Sequence, residues 1–217
     1  GALSETRIDP EALAPLQGNL LRSHAVGVGP RLSDDVTRGL LFLRAHTLAL
    51  GASGVRPIVP EKLLALLQAN LIPEVPSQGS VGASGDLAPL AHLALPLIGE
   101  GYICEGDTRI PAAQALVKAG IEPLALGPKE GLSLINGTQV TTAIAALATV
   151  DAFELMAAAD IIGAMSLDAH LGTISTCDPR IHAGKPHPGQ IKVATNIAAL
   201  VHGSSLNQSH ADCGRVQ

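Results

Sequence analysis

From Asn136 to about Leu171 the chain carries no proline and, past the opening Asn136-Gly137, a single interior glycine, Gly163. The stretch predicts the longest helix of the molecule. Its alanine-rich faces suit close packing of several helices. Composition points the same way. The 217 residues suffice for one domain with a sizeable core, or for two small ones. Apolar residues make up 47% of the chain but aromatics only 1%, so the core must be built from Leu, Ala, Ile and Val. Ala and Leu favour helices, whereas strands want more aromatic and β-branched residues. The expected fold is all-α, a bundle of long helices with one small β-hairpin.

Around that helix the punctuation is regular. A first helix is expected from about Pro10 to Val26, broken by Gly27-Val28-Gly29-Pro30. Ser33 can cap a second helix, with Val36, Leu40, Leu43, Thr47 and Leu50 on one face. A third spans roughly Pro60 to Leu71. Residues 73–85, rich in Pro, Gly and Ser, read as a long loop, a kind often functional inside compact domains. Asp86 is placed to cap a helix running to about Leu97. Tyr102 to Ile110 reads as the hairpin, turning at Glu105-Gly106-Asp107, and Pro111 to Ala119 as a short helix. After a loop from Ser175 to Gly189, a last helix is expected from Gln190 to His202.

Charge and cysteine usage exclude several classes. A net charge of −5 with scattered acids and bases argues against a nucleic-acid footprint. The best candidate for a membrane span, Gln139 to Val150, reads as too short and leads into Asp151 and Glu154. No signal peptide is expected from the opening residues. Cys104, Cys177 and Cys213 are odd in number and far apart, which fits a reducing, cytoplasmic setting rather than a disulfide framework. Cys177, His182 and His187 match no common zinc spacing, and His46, His92 and His170 read as packing residues within helices. The chain starts at Gly1 and stops at Gln217 after a polar run, and is read as a piece of a longer protein.

The most informative segment is Gly79-Ser80-Val81-Gly82-Ala83-Ser84-Gly85-Asp86-Leu87-Ala88-Pro89-Leu90. The amide nitrogen of Gly85 is unhindered, because glycine has no Cβ. In a tightly bent loop it can attack the carbonyl carbon of Ala83, and loss of water closes a five-membered ring. Loss of the Ser84 hydroxyl as a second water leaves an exocyclic methylidene. The product, a methylidene-imidazolone, is an electrophile that no ordinary side chain supplies. Glycines at 79, 82 and 85 permit the bend, and the start of the following helix would stabilise electron density pushed into the ring. A second copy of the tripeptide, Ala52-Ser53-Gly54, serves as a control: its glycines fall just after a helix and read as a C-cap and turn. A serine hydrolase elbow and a phosphate loop are both poor fits, since Ser84 has glycine in the wrong place and Asp86 stands where a phosphate loop carries lysine.

The run Ser80 to His92 resembles the signature of the aromatic amino acid ammonia-lyases, which act on histidine, phenylalanine or tyrosine. Gly54-Val55-Arg56, Lys129-Glu130-Gly131-Leu132, Leu134 to Gln139 and Val216-Gln217 fit the same family in order, so the resemblance covers essentially the whole chain. It implies that Ala83, Ser84 and Gly85 form the prosthetic group and that Asp86 is the acidic residue following it. It implies that Asn136 lies near the ring and the substrate carboxylate; read from the residues alone, Asn136 is equally a buried cap at a helix start. Gln217 matches a site glutamine. Ser23-His24 matches the pair that contacts the substrate side chain, and Ser-His resembles the histidine-specific members. The chemistry alone leaves His24 open as a helix-terminal histidine near a favourable dipole.

The resemblance further implies a homotetramer of the ammonia-lyase and fumarase-like bundle type, with sites built from several subunits and no external cofactor. Residues 1–217 would be a single-domain piece carrying the 73–86 loop and part of the central bundle. The family's tyrosine base and a later tyrosine and arginine fall outside this sequence, and Tyr102, its only tyrosine, reads as a surface or packing residue. The expected activity is elimination of ammonia from L-histidine to give urocanate. The alternatives are a phenylalanine or tyrosine lyase or aminomutase, and a helical piece without catalysis of its own.

Overall fold

The computed structural model describes residues 8–81, 85–106 and 108–209. They form two compact units, the division falling between Leu147 and Ala148.

In the first unit, α1 (Pro10–His24) ends in Ala25, whose N–H returns to the Leu21 carbonyl. The chain then enters β1 (Val28–Arg31). Helix α2 (Asp34–Ala49) is capped as expected, Ser33 accepting from the Val36 N–H. Its buried face is not the expected one. Thr37, Leu40, Leu41, Arg44, Ala45 and Leu48 face inward, Val36 and Leu43 are half-buried, and Leu50 is 70% exposed. The expected face did not include Arg44. Including it gives the cleaner 3.6-residue repeat.

Helix α3 (Ile58–Gln68) packs along α2. The segment expected to be plain loop then makes β2 (Ile72–Pro73) and β3 (Pro76–Gln78). β3 pairs antiparallel with β1. β2 joins the hairpin of β4 (Tyr102–Glu105) and β5 (Thr108–Pro111) in the order β2-β4-β5. Prolines sit at sheet edges and strand ends, where the missing N–H costs least, so local composition hid these pairings. Helix α4 (Leu87–Ala94) runs into a tighter turn over Leu95–Ile98, and α5 (Ala112–Ala119) follows the hairpin.

The expected helix from Asn136 is preceded by another. A short α6 (Glu130–Ile135) ends at Asn136, and α7 (Gln139–Ala169) begins three residues later. Helices α1, α4 and α6 pack against one another. Leu21, Leu40, Leu63, Leu90, Ile103 and Leu116 are all but inaccessible to solvent in this core. Each such side chain contributes roughly 2 kcal/mol of burial.

The second unit takes up the rest of α7, a tight turn at Ile174–Cys177, α8 (Pro179–Ala183), α9 (Pro188–Val201) and α10 (Ser205–Gln208). Polar staples hold it. Asn196 donates to Asp160 (2.6 Å), Ser204 to Asp168 (2.6 Å) and Asn207 to the Gly172 carbonyl (2.9 Å). His182 is buried between the Thr176 carbonyl (3.1 Å) and the Gln190 side chain (3.0 Å). Apolar burial is slight: Phe153, Leu155, Met156, Ile162 and Met165 are each at least 60% exposed.

By length and composition the stretch Glu130–Ala169 is apolar enough to cross a membrane, with a mean hydropathy of 1.5 over its best window. The core helix of a soluble protein passes the same test, so length and composition alone do not make it a membrane span.

Candidate functional site

The break between α6 and α7, Asn136-Gly137-Thr138, is where the informative residues converge. Gly85 packs directly onto it. Gly85 is buried, with φ at +139°. A Cβ there would lie 3.0 Å from the Gly137 carbonyl oxygen, 3.1 Å from its nitrogen and 3.3 Å from Oδ1 of Asn136. Both backbone conformation and space therefore demand glycine. The next residue continues the contact, the Asp86 N–H donating to the Gly137 carbonyl at 2.7 Å.

Asp86 was expected to cap α4 with its side chain. It occupies that helix's N-cap position, but its carboxylate makes no cap bond there. Instead Oδ2 accepts from the N–H groups of Val140 (2.9 Å) and Thr141 (3.1 Å), the first turn of α7. Oδ1 accepts from the hydroxyls of Ser80 (2.7 Å) and Thr141 (3.3 Å). The acid thus caps a helix more than fifty residues away. A carboxylate held by orphan amides at a positive helix end needs no cation. This explains how Asp86 is only 2% exposed without an ion-pair partner among the described residues.

On the other side of the break the charge is reversed. Arg44 of α2 is 2% exposed and faces no carboxylate among its hydrogen-bond partners. Its Nη2 donates to the carbonyls of Ser133 and Asn136 (3.1 Å for the latter), and Nη1 donates to Oε1 of Gln139 at 2.9 Å. Gln139 in turn donates to Thr47 (3.2 Å). The Arg44 Nε has no partner. Burial pulls the guanidinium down to about 10, still charged at neutral pH.

Asn136 differs from the buried amide at a helix start that the sequence allowed. It is exposed and sits at the C-terminal end of α6. Helix α6 is itself fixed at its start by Glu130, whose carboxylate accepts from Arg56 (2.7 Å at Nη2), from the Arg56 N–H (3.0 Å) and from the Gly127 N–H (2.7 Å). Arg56 foremost, with those amides, holds the Glu130 carboxyl down at about 2.

Ser23 and His24 end α1, the first exposed and the second half-buried. His24 Nδ1 donates to the Leu20 carbonyl (2.9 Å). The side-chain hydrogen bonds of both residues stay within α1. Their link to the tripeptide loop is one turn further on. The Gly27 N–H donates to Nε2 of His92 on α4 (3.0 Å), and a Cβ on Gly79 would lie 3.2 Å from the Gly27 Cα. Burial lowers the His92 imidazole below its ordinary value, Glu74 opposing. The α1 helix is also tied to α6, the Gly131 N–H donating to Gln17 at 3.0 Å.

Ala83, Ser84 and Gln217 lie outside the described residues. Tyr102 lies in the hairpin, 41% exposed, with the Arg109 guanidinium 4.3 Å from its ring centre. The sequence assigned Arg44 no role, placed Gln139 in a family motif without a role, and left His92 as a packing residue. The missed signal for Arg44 was its place in an otherwise apolar helical repeat.

The fold and site define a helical protein that presses a glycine-rich loop onto the junction of two helices, one end closed by a buried acid and the other by a buried cation. The model of the aromatic amino acid lyases matches residues 1–217. The chain is 55% identical over its whole length to a histidine ammonia-lyase of Sorangium cellulosum, of which it covers 42%. Among solved structures it resembles histidine ammonia-lyase from Trypanosoma cruzi, at 40% identity and a TM-score of 0.88 over 95% of this chain and 41% of that one. Tyrosine aminomutase from Streptomyces globisporus gives 40% identity and a TM-score of 0.88 over 97% and 42%.

The chain belongs to the aromatic amino acid lyase family. Its fold is the helical bundle of the ammonia-lyases, and the family in general depends on a methylidene-imidazolone. The chain spans about two fifths of the length of the curated relatives it matches.

Proposed function

We propose that the protein carrying this chain eliminates ammonia from L-histidine to give urocanate, with Ala83, Ser84 and Gly85 cyclised into the electrophile. The observation that carries the reading is the buried approach of Gly85 to Asn136 and Gly137, in a backbone conformation reserved for glycine. The tight packing of Gly85 supports a bend at this end of the tripeptide. The group supplies, once formed, an electrophilic carbon for the substrate amine, without metal or nucleotide.

The chain's own residues fit that chemistry. Asp86 fixes the exit of the loop to the first turn of α7 and ties it back to Ser80. The N-terminus of α4 follows the tripeptide and favours negative charge developing beside it. Asn136 offers an amide next to Gly85, suited to ring or substrate carboxylate. His24, with hydrogen-bonding ring nitrogens, suits an imidazole. Ser23 and Gln217 are assigned to the same pocket on their place in the family motifs.

A homotetramer in the cytoplasm completes the proposal. The apolar residues displayed along α7, Phe153, Met156 and Met165 among them, support burial against further protein.

The test is an ultraviolet assay of the intact protein with L-histidine, L-phenylalanine and L-tyrosine, beside peptide mapping across Ser80 to Leu90. A conjugated product from histidine, and a deficit of two waters in that peptide, are expected. Product from tyrosine or phenylalanine alone would transfer the assignment to the aromatic lyases and aminomutases, a reading the equal likeness to a tyrosine aminomutase keeps in view. An unmodified peptide would remove the electrophile and leave a helical scaffold.

A further inference from the structure

The geometry points to Arg44 as a positioning residue for the electrophile site: from α2 it sets the α6–α7 break so that Asn136 and Gly137 meet Gly85. The inference rests on the cyclisation reading above.

Burial of a cation without a carboxylate partner is costly unless other dipoles replace water. Here they do. The Ser133 and Asn136 carbonyls are orphan acceptors at the end of α6, the negative end of that helix. Gln139 adds its amide oxygen, and Thr47 holds Gln139 in that orientation. Three consecutive features of the break are thus pinned from α2: the last turn of α6, the backbone of Asn136 and the first residue of α7. Asp86 pins the same break from the loop side through the Gly137 carbonyl and the Val140 and Thr141 amides.

Space at the break is tight. A Cβ on Gly137 would run into both the Gln139 amide and the Arg44 guanidinium. The break therefore has little freedom to move while Arg44 stays in place. Without Arg44, the Ser133 and Asn136 carbonyls lose their donor, and Asn136 is free to turn away from Gly85. An apolar core would be the more stable solution for holding helices together. A buried, forked cation instead fixes direction, which a site accurate to a fraction of an ångström requires.

The experiment compares the intact wild-type protein with Arg44→Lys and Gln139→Met. Lysine keeps the charge and loses the fork. Methionine at 139 keeps Arg44 on the carbonyls and removes its side-chain anchor. Each is scored by thermal melting, by the cyclised fraction of the Ser80–Leu90 peptide, and by kcat and KM for histidine. Variants that melt as folded proteins are expected to show a lower cyclised fraction, or a kcat reduced roughly tenfold or more with KM little changed, as misplacement of reacting groups predicts. A merely structural role would move the melting temperature and leave cyclised fraction and kcat per cyclised site at wild-type values; that result overturns the proposal. If Arg44→Lys does not fold, Gln139→Met decides alone by the same criteria. Wild-type protein without the two-water deficit would instead overturn the cyclisation reading, and the proposal with it.

Discussion

The chain contains Ala-Ser-Gly twice, and the two copies are treated differently. In Ala52-Ser53-Gly54 the glycine is exposed, with φ at +63°, and its N–H closes a turn onto the Gly51 carbonyl at 3.3 Å. A Cβ on it would meet only the flexible end of Lys129, 3.3 Å away. In the second copy Gly85 is buried and backed by the Asn136-Gly137 backbone, with Asp86 bonded on both sides of the loop. Identical tripeptides thus differ in what surrounds them. The first closes a helix-ending turn, whereas the glycine of the second is held against the break between two helices.

The largest expected effect comes from breaking the clamped copy. Gly85→Ala places a methyl against Gly137 in a backbone conformation hostile to alanine. Histidine elimination should fall more than about a hundredfold, the scale of a displaced reacting group. Peptide mapping should show the two-water deficit lost. Wild-type turnover in this variant would mean that the clamp is irrelevant.

Asp86→Ala attacks the clamp rather than the tripeptide. It strips the Val140 and Thr141 amides and the Ser80 hydroxyl of their acceptor. A loss of about 3 kcal/mol in denaturant unfolding is expected, together with reduced cyclisation. A stability change confined to a few tenths would show that water replaces the carboxylate.

The corresponding change in the other copy should be mild. Gly54→Ala is expected to cost about 1 kcal/mol for a positive φ, with histidine turnover unchanged. A parallel loss of cyclisation at residues 83–85 would erase the distinction between the two copies.

The smallest effect concerns His92, which anchors Gly27 beside the clamped loop. Burial lowers its imidazole in the fold, so the unfolded chain binds the proton more readily. That contribution to stability is present above about pH 6.5, the unfolded value, and is lost as pH falls through the lower folded value. Melting of wild type against His92→Asn across this range should show a shallower acid dependence in the variant. Identical slopes would remove His92 from the linkage.

Much of this was legible in advance. The helical class, the long α7 and the Ser33 cap all follow from local rules of period and capping chemistry. The register of α2 did not follow, because Arg44 counts as polar in any hydrophobicity pattern. Nor did β2 and β3, since Pro-rich residues 72–78 become strands only when β1 and the hairpin lie alongside.

By itself, then, the sequence determined where helices can form and which tripeptide is rich enough in glycine to bend. Only the tertiary structure decided what Asp86 caps and what Arg44 neutralises. Both act on partners fifty to a hundred residues distant: Asp86 on Val140 and Thr141, Arg44 on Ser133, Asn136 and Gln139. A cap is written locally when its helix follows directly. When the cap and the helix end meet only after the core has folded, no window of sequence contains both.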